Sequence, residues 1–240
     1  MKKLLSSLAI VAMLCSFATG MVSAQSLYKA GAVGVNASYP NCGETIPDVA
    51  FGVIGVNDAT GYTENPCLAS EATFFNGKNT RSLYVFTGWY AQSSHINPFS
   101  PRRCGSANEE DCLAYNYGFN AGLYAYNYAE SQHISAPTWW LDVESSASWA
   151  TDTIQNRNSL QGEYDFLASK GIAVGVYSTT DQWDSITGTW KNGWPSWGAT
   201  TWTTAKQAET YCTGHEFTGG QSLLMQYIPT DSDFDYDVAC

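Results

Sequence analysis

Apolar residues recur along the chain in six short runs, at residues 32–35, 49–56, 83–87, 138–143, 172–177 and 222–227, rich in β-branched and aromatic side chains. Runs of that length and composition predict buried strands. Between several of them the pattern turns helical. Residues 66–75 open on Pro66, 111–130 form a long tyrosine-rich stretch, 156–170 stop at Gly171, and 203–211 begin on a threonine cap. Proline in a first turn, threonine at a cap and glycine just past an end are helix punctuation. Strands alternating with helices predict parallel βαβ units.

Polar residues gather at the C-terminal ends of the strand runs: Asn36, then Asn57 and Asp58, Trp89 and Tyr90, Asp142 and Glu144, Ser178, and Gln226 with Tyr227. In a β/α barrel all of those ends face one rim, where that fold builds its active sites. A doubly wound sheet would collect them only at its switch point. The pattern therefore predicts an α/β fold, an irregular (β/α) barrel of TIM type, in a single domain. No G-x-G-x-x-G or Walker sequence follows any strand run, so no nucleotide and no cofactor is implied.

The N-terminus changes the picture of where the chain works. It reads Met1-Lys2-Lys3, then an apolar run over residues 4–22, then Val22-Ser23-Ala24-Gln25, a small-residue cleavage site. This predicts a secretory signal peptide at residues 1–24 and a domain at residues 25–240, secreted or at the cell surface, without stable membrane insertion after cleavage. A retained membrane helix fits less well, because serines, a threonine and a glycine interrupt the run. Cleavage removes Lys2 and Lys3 and no acid, taking the formal net charge from −11 to −13. Nucleic acid is thereby excluded as an expected partner. With 14% charged and 14% aromatic residues, the composition suits a globular extracellular protein with aromatic-lined clefts.

The same cleavage removes Cys15 and leaves six cysteines. An even count in an exported chain predicts disulfides. Of the fifteen possible connectivities the sequential one is favoured: Cys42–Cys67, Cys104–Cys112 and Cys212–Cys240. Zinc is the weaker alternative, since there is no C-x-x-C and the histidines are scattered.

Candidate chemistry centres on Asp142 and Glu144. At i and i+2 on a strand they point to the same face, with Cβ atoms ~6 to 7 Å apart. Such a pair can split its protonation states: the carboxyl in the drier place keeps its proton and serves as general acid, while the other stays ionised. That is the equipment for breaking a glycosidic bond, and tryptophan faces nearby would both stack on sugar rings and dry the acid. The bland alternative makes Asp142 a loop cap and Glu144 a solvated acid.

Four more acids, Asp231, Asp233, Asp235 and Asp237, alternate before Cys240. A calcium loop of EF-hand type would need glycine where Tyr236 stands, so no metal site is expected. His95, His133 and His215 stand in no recognisable nucleophile motif, and G-x-S-x-G is absent. Tyr115, Tyr117, Tyr124 and Tyr128 read as packing residues of the long helix.

Five pieces, in order, resemble the lysozyme-type glycoside hydrolase family 25, the muramidases. Gly34-Val35-Asn36-Ala37-Ser38 resembles its first-strand G-x-D-x-S, and Asp142-Val143-Glu144 its D-x-E. Gly175-Val176-Tyr177-Ser178-Thr179 with Trp183 resembles its G-x-Y-[ST]-x strand and downstream aromatic. Trp197-Gly198-Ala199 resembles its penultimate W-x-A strand. Met225-Gln226-Tyr227, followed by Asp235-Tyr236-Asp237, resembles its terminal W-Q-Y and D-x-N. The runs at 39–42, 51–57, 64–69 and 140–144 are further similar to a secreted, cysteine-containing bacterial branch of that family.

The resemblance implies an irregular β/α barrel that hydrolyses the β-1,4 bonds of peptidoglycan or a related amino-sugar polymer, that glycan being the expected partner. Glu144 takes the general acid role, Asp142 the stabilising role, and Asp235 matches the terminal acid. Substrate would be bound by Asn36, Asp58, Trp89, Tyr90, Trp140, Tyr177, Trp183, Trp197, Gln226, Tyr227 and Asp237. One departure opens an alternative: Asn36 stands where the pattern has an acid, so the same barrel could be a weak or inactive glycan-binding or cell-surface interaction protein. The anionic charge agrees with that alternative, since it would repel anionic wall polymers at low salt.

Overall fold

The computed structural model describes residues 28–75, 81–105 and 109–240. The expected leader, residues 1–24, lies outside the described residues. Eight strands close into a barrel in chain order: β1 (Val33–Ala37), β2 (Phe51–Gly55), β3 (Arg81–Phe86), β4 (Thr138–Asp142), β5 (Ala173–Ser178), β6 (Ser196–Ala199), β7 (Ser222–Tyr227) and β8 (Tyr236–Ala239). Neighbours from β1 to β7 run parallel, and β8 closes the ring antiparallel to both β7 and β1. The irregular (β/α) barrel expected from the sequence is the fold, and the reversed eighth strand is the irregularity.

Six of the strands coincide with the six apolar runs. β6 was expected only through the resemblance, because four residues containing Gly198 make no recognisable run. β8 is absent from the apolar pattern because it opens among acids. Its alternation is nonetheless regular: Val238 faces outward with Met225 and Tyr227, while Asp237 faces the barrel interior and Trp197.

Helices α1 (Leu68–Thr73), α2 (Glu109–Ser131), α3 (Thr153–Ser169), α4 (Thr180–Thr187) and α5 (Ala205–Glu209) lie between the strands. α4 was not expected. Its signals were local and brief, a Thr179 side chain accepting from Gln182 N and a left-handed Gly188 at φ 62°. α2 and α3 touch backbone to backbone. A Cβ on Gly118 would lie 1.8 Å from the Ser159 carbonyl oxygen, and one on Gly162 would lie 2.1 Å from that of Tyr115. Only glycine allows that approach.

β4 is buried along its whole length, as a parallel strand covered on both faces must be. Trp139, Leu141 and Val143 pack outward under the helices, whereas Trp140 fills the barrel with Phe51, Val53, Trp197 and Leu224. Asp142 and Glu144 continue the inward face one and two pleats above Trp140.

Three disulfides are formed, Cys42–Cys67, Cys104–Cys112 and Cys212–Cys240, the sequential pairing. The last ties the end of β8 to the chain after α5. Among the described residues no helix is long and apolar enough to cross a membrane.

Candidate active site

A cleft of about 270 Å³ opens at the C-terminal ends of the parallel strands. Asp142 and Glu144 enter it from the end of β4, Asn36 from β1, Tyr177 from β5, Trp197 from β6 and Asp235 from just before β8. The strands bring these residues together because inward positions of every strand converge on one axis at the rim.

The two β4 acids sit in different surroundings. Asp142 is 7% exposed, and its Oδ1 has no hydrogen-bond partner in the protein. Burial, and then the charge of Glu144, hold its carboxyl well above the usual carboxylate range. Glu144 is half-buried on the cleft wall, where Ser146 Oγ donates to its Oε2 at 3.2 Å. Its backbone carbonyl is gripped by Trp149 Nε1 at 2.7 Å, which sets the turn that carries it. The drier of the pair is thus Asp142, whereas the resemblance gives the acid role to Glu144.

Beneath them runs a hydrogen-bonded floor. Tyr177 Oη donates to Gln226 Oε1 at 2.7 Å, and Gln226 Nε2 donates to Asp235 Oδ2 at 3.2 Å. Burial raises the Asp235 carboxyl above its ordinary range. Deeper still, Trp197 Nε1 donates to Asp237 Oδ1 at 2.7 Å. Asp237 is fully buried, and burial pushes its carboxyl up to about 8, against the opposing pull of Trp197 and Asn36. Asn36 Nδ2 and Asp237 Oδ2 are both buried and neither completes a hydrogen bond of good geometry, although Asn36 lies close enough to draw the Asp237 carboxyl down. Among the described residues no group of three or more His, Cys, Asp or Glu gathers in a way that could hold a metal ion.

Residues 113–218 match the family model described as Lys-1, Lysozyme-like protein 1. Over 100 residues the chain is 33% identical to a Dictyostelium discoideum protein described as probable GH family 25 lysozyme 4, a match covering 40% of each. The matched region therefore spans well under half of that relative. Among solved structures, the fold is similar to a muramidase from Acremonium alcalophilum, with TM-score 0.55, 17% identity, and 87% of this chain and 93% of that one covered. It is similar also to the lysozyme from Streptomyces coelicolor, with TM-score 0.51, 16% identity and coverage of 88% and 93%. At such identities the structural likeness speaks for the fold. The chain is thus similar in sequence, over residues 113–218, to lysozyme-like proteins, and similar in fold to the lysozyme-type glycoside hydrolase family 25 superfamily.

Within the superfamily pattern, the exchange of acid for amide at Asn36 stands beside an opposite exchange. The terminal D-x-N reads Asp235-Tyr236-Asp237 here, with a carboxyl in place of the amide. The two positions sit on paired strands: β1 and β8 are neighbours, with Gly34 opposite Asp237, and Asn36 N donates to the Asp235 carbonyl at 3.0 Å. The carboxyl missing from β1 is present one strand away.

Several expected substrate-binding residues do not reach the cleft. Trp140 is fully buried one pleat below Asp142, its Nε1 shared between Tyr28 Oη and Ser82 Oγ, each at 3.2 Å. Trp183 lies in α4 outside the barrel, fully buried, stacked on Trp190 and bonded to its carbonyl. Tyr227 points outward onto α5, because strand alternation sends it opposite to Gln226. Asp58 stays in the loop after β2, where Thr63 Oγ1 caps its backbone. Asp237 lies below the floor. Trp89 and Tyr90 line a second, neighbouring cavity.

Five cleft residues were not anticipated as site residues: Ser38, Pro40, Asn41, Tyr84 and Asp233. Tyr84 had a signal, since it alternates with Ser82 on the inward face of β3. Asn41 had none: its Nδ2 donates to the Asp233 carbonyl at 3.0 Å, a contact across 192 residues of chain.

Proposed function

We propose that this chain is an exported glycoside hydrolase, with residues 1–24 as its leader, that cleaves β-1,4 bonds of peptidoglycan or a related amino-sugar polymer. The observation that carries the reading is the meeting of Asp142, Glu144 and Asp235 in one cleft floored by Tyr177 and Trp197. Two acids adjacent in sequence would be weak support. A third, arriving from the far end of the chain, is not a local accident.

The chemistry requires a proton for the leaving oxygen and stabilisation of positive charge at the sugar carbon. Asp142 holds a proton but is nearly enclosed, while Glu144 has the reach. A seated sugar would exclude water from Glu144, which favours its protonated form, and the positive charge developing at the sugar carbon favours the ionised form of Asp142. Glu144 then protonates the leaving oxygen as the C–O bond breaks. The carboxylate left on Asp142 faces the developing cation, and the substrate's own 2-acetamido oxygen is placed to attack the sugar carbon. Water activated by Glu144 completes hydrolysis. Asp235, held by Gln226, adds negative potential to the same space.

The test is release of reducing ends from peptidoglycan and from an N-acetylglucosamine polymer, by the wild-type protein and by Glu144→Gln. Turnover that Glu144→Gln abolishes supports the reading. No release from either polymer sinks it. Asn36 favours one second reading, a glycan-binding protein without turnover. Binding that survives Glu144→Gln unchanged, in a wild-type protein that cleaves nothing, would establish it.

A further inference from the structure

Beyond Lys3 the sequence holds one side-by-side pair of cations, Arg102 and Arg103, on a chain of net charge −11. They lie in the segment 97–104 between β3 and α2, and no residue of that segment lines either of the rim cavities. Three of the four arginines are committed within the chain. Arg81 and Arg157 donate to backbone carbonyls, and the Arg102 guanidinium lies over the Tyr115 ring at 3.2 Å. Arg103 is exposed, with its guanidinium 5.8 Å from the centre of the Phe99 ring, which is itself 68% exposed. Its charge faces outward.

The backbone on either side of Arg103 is held firmly for an exposed loop. Asn116, fully buried on α2, directs its whole side chain there: Oδ1 accepts from Arg102 N at 3.1 Å, and Nδ2 donates to the carbonyls of Arg102 and Asn97, each at 2.7 Å. On the other side Cys104 is bonded to Cys112 of α2, and its N–H donates to the Pro98 carbonyl at 2.8 Å. Asn120 Nδ2 adds a bond to the Ser100 carbonyl at 2.9 Å. Arg103 is thus presented between two neighbours anchored to the same helix. A loop that only connects gains nothing from such bracing, whereas a segment read by a partner loses less freedom when it binds.

We propose that this loop is a docking element for a serine protease that cleaves after arginine, and that it occupies such a protease as a slowly cleaved, inhibitor-like substrate. The inference goes beyond the hydrolase reading and does not depend on it. Arginine enters the specificity pocket of such a protease because an acid lies at its base. The protease's serine oxygen attacks the Arg103 carbonyl carbon, and the Arg103–Cys104 amide breaks as the protease's histidine gives a proton to the Cys104 nitrogen. From an ordinary substrate that amine diffuses away and water takes its place. Here the disulfide keeps Cys104 in position and Asn116 keeps Arg102, so the amine remains beside the acyl carbon at high effective concentration and re-forms the bond. Hydrolysis becomes the slow branch, and the protease stays occupied.

The experiment follows trypsin acting on a small chromogenic arginine amide as the protein is added, with cleavage of the protein itself read by mass spectrometry. Inhibition is expected at about micromolar protein or below, with slow cleavage at the Arg103–Cys104 bond. Arg103→Ala changes an exposed side chain and spares the fold; it should weaken inhibition about 100-fold or more. Arg103→Leu should transfer inhibition to chymotrypsin. Asn116→Ala should raise the cleavage rate about tenfold or more, by letting the cut ends part. Where that variant fails to fold, Cys104→Ser with Cys112→Ser loosens the same segment from the other side. No inhibition at about 100 μM protein, inhibition unchanged by Arg103→Ala, or cleavage as fast as that of a free peptide of residues 97–105 overturns the proposal.

Discussion

Trp197 donates its indole N–H to Asp237 across the barrel from β6 to β8, at 2.7 Å and beneath the cleft floor. That single bond does not repay the burial of the whole carboxyl, whose pKa is pushed from 3.8 up to about 8. A carboxyl with a raised folded pKa contributes stability that is complete below 3.8 and is lost as pH rises through about 8. Each unit of such a shift is worth about 1.4 kcal/mol once the group must ionise. Asp237→Asn should therefore flatten the fall of stability between pH 5 and pH 8 and raise stability at pH 8 by at least ~1 kcal/mol. Urea denaturation at the two pH values checks this, and an unchanged slope refutes it.

Glu163 makes the same prediction from outside the barrel. It is buried in α3, with Thr87 Oγ1 donating to one oxygen and the other left without a partner, and burial pushes it up to about 8. Glu163→Gln keeps the shape and the Thr87 contact. It should again raise stability at pH 8 relative to pH 5, additively with Asp237→Asn, since no hydrogen bond joins the two. A double variant no flatter in pH than either single one would contradict the assignment.

At the β4 rim, stability and activity should part company. Asp142 is raised by burial and by Glu144, so its neutral form stabilises the fold at low pH and that contribution fades as pH rises through its raised folded pKa. Asp142→Asn should then raise stability at neutral pH while lowering turnover. Glu144→Gln should cost ~10²- to 10⁴-fold in rate. Melting curves and reducing-end assays on the same preparations separate the two effects. If Asp142→Asn retained full turnover, the paired role of the two carboxylates would be wrong.

Gly118→Ala tests the packing that backs β4. The added methyl meets the Ser159 carbonyl 1.8 Å away, so α2 and α3 must separate. Overpacking of this kind costs ~1–3 kcal/mol or more. A melting temperature within one degree of wild type would show that the helices can slide apart freely.

Cys240→Ser opens the covalent tie at the end of β8. The two cysteines are 28 residues apart, for which the loop-entropy account gives ~3.6 kcal/mol. Because β8 supplies Asp237 and directly follows Asp235, turnover should fall along with stability. Restoring stability with an osmolyte without restoring turnover would show that the tie also sets the position of Asp235.

The sequence by itself determined the alternation of strands and helices and the rim on which polar residues gather, and it favoured a barrel and the sequential pairing of the cysteines that the structure then shows. Apolar runs of strand length report burial on both faces, and polar residues at their ends report direction, so Asp142, Glu144 and the rim positions of Asn36 and Gln226 were legible one strand at a time. What it could not decide was which way a side chain faces in a strand buried on both sides. Trp139 and Trp140 are equally apolar neighbours, and only closure of the sheet sends one under the helices and the other into the barrel. The same ambiguity hid the outward turn of Tyr227 and the strand that carries Asp237. Tertiary structure alone decided which acid is dry, because desolvation depends on what other segments lay over a carboxyl and not on its neighbours in sequence. It alone set an aromatic cavity beside Glu144, from three loops and a helix whose residues are far apart along the chain.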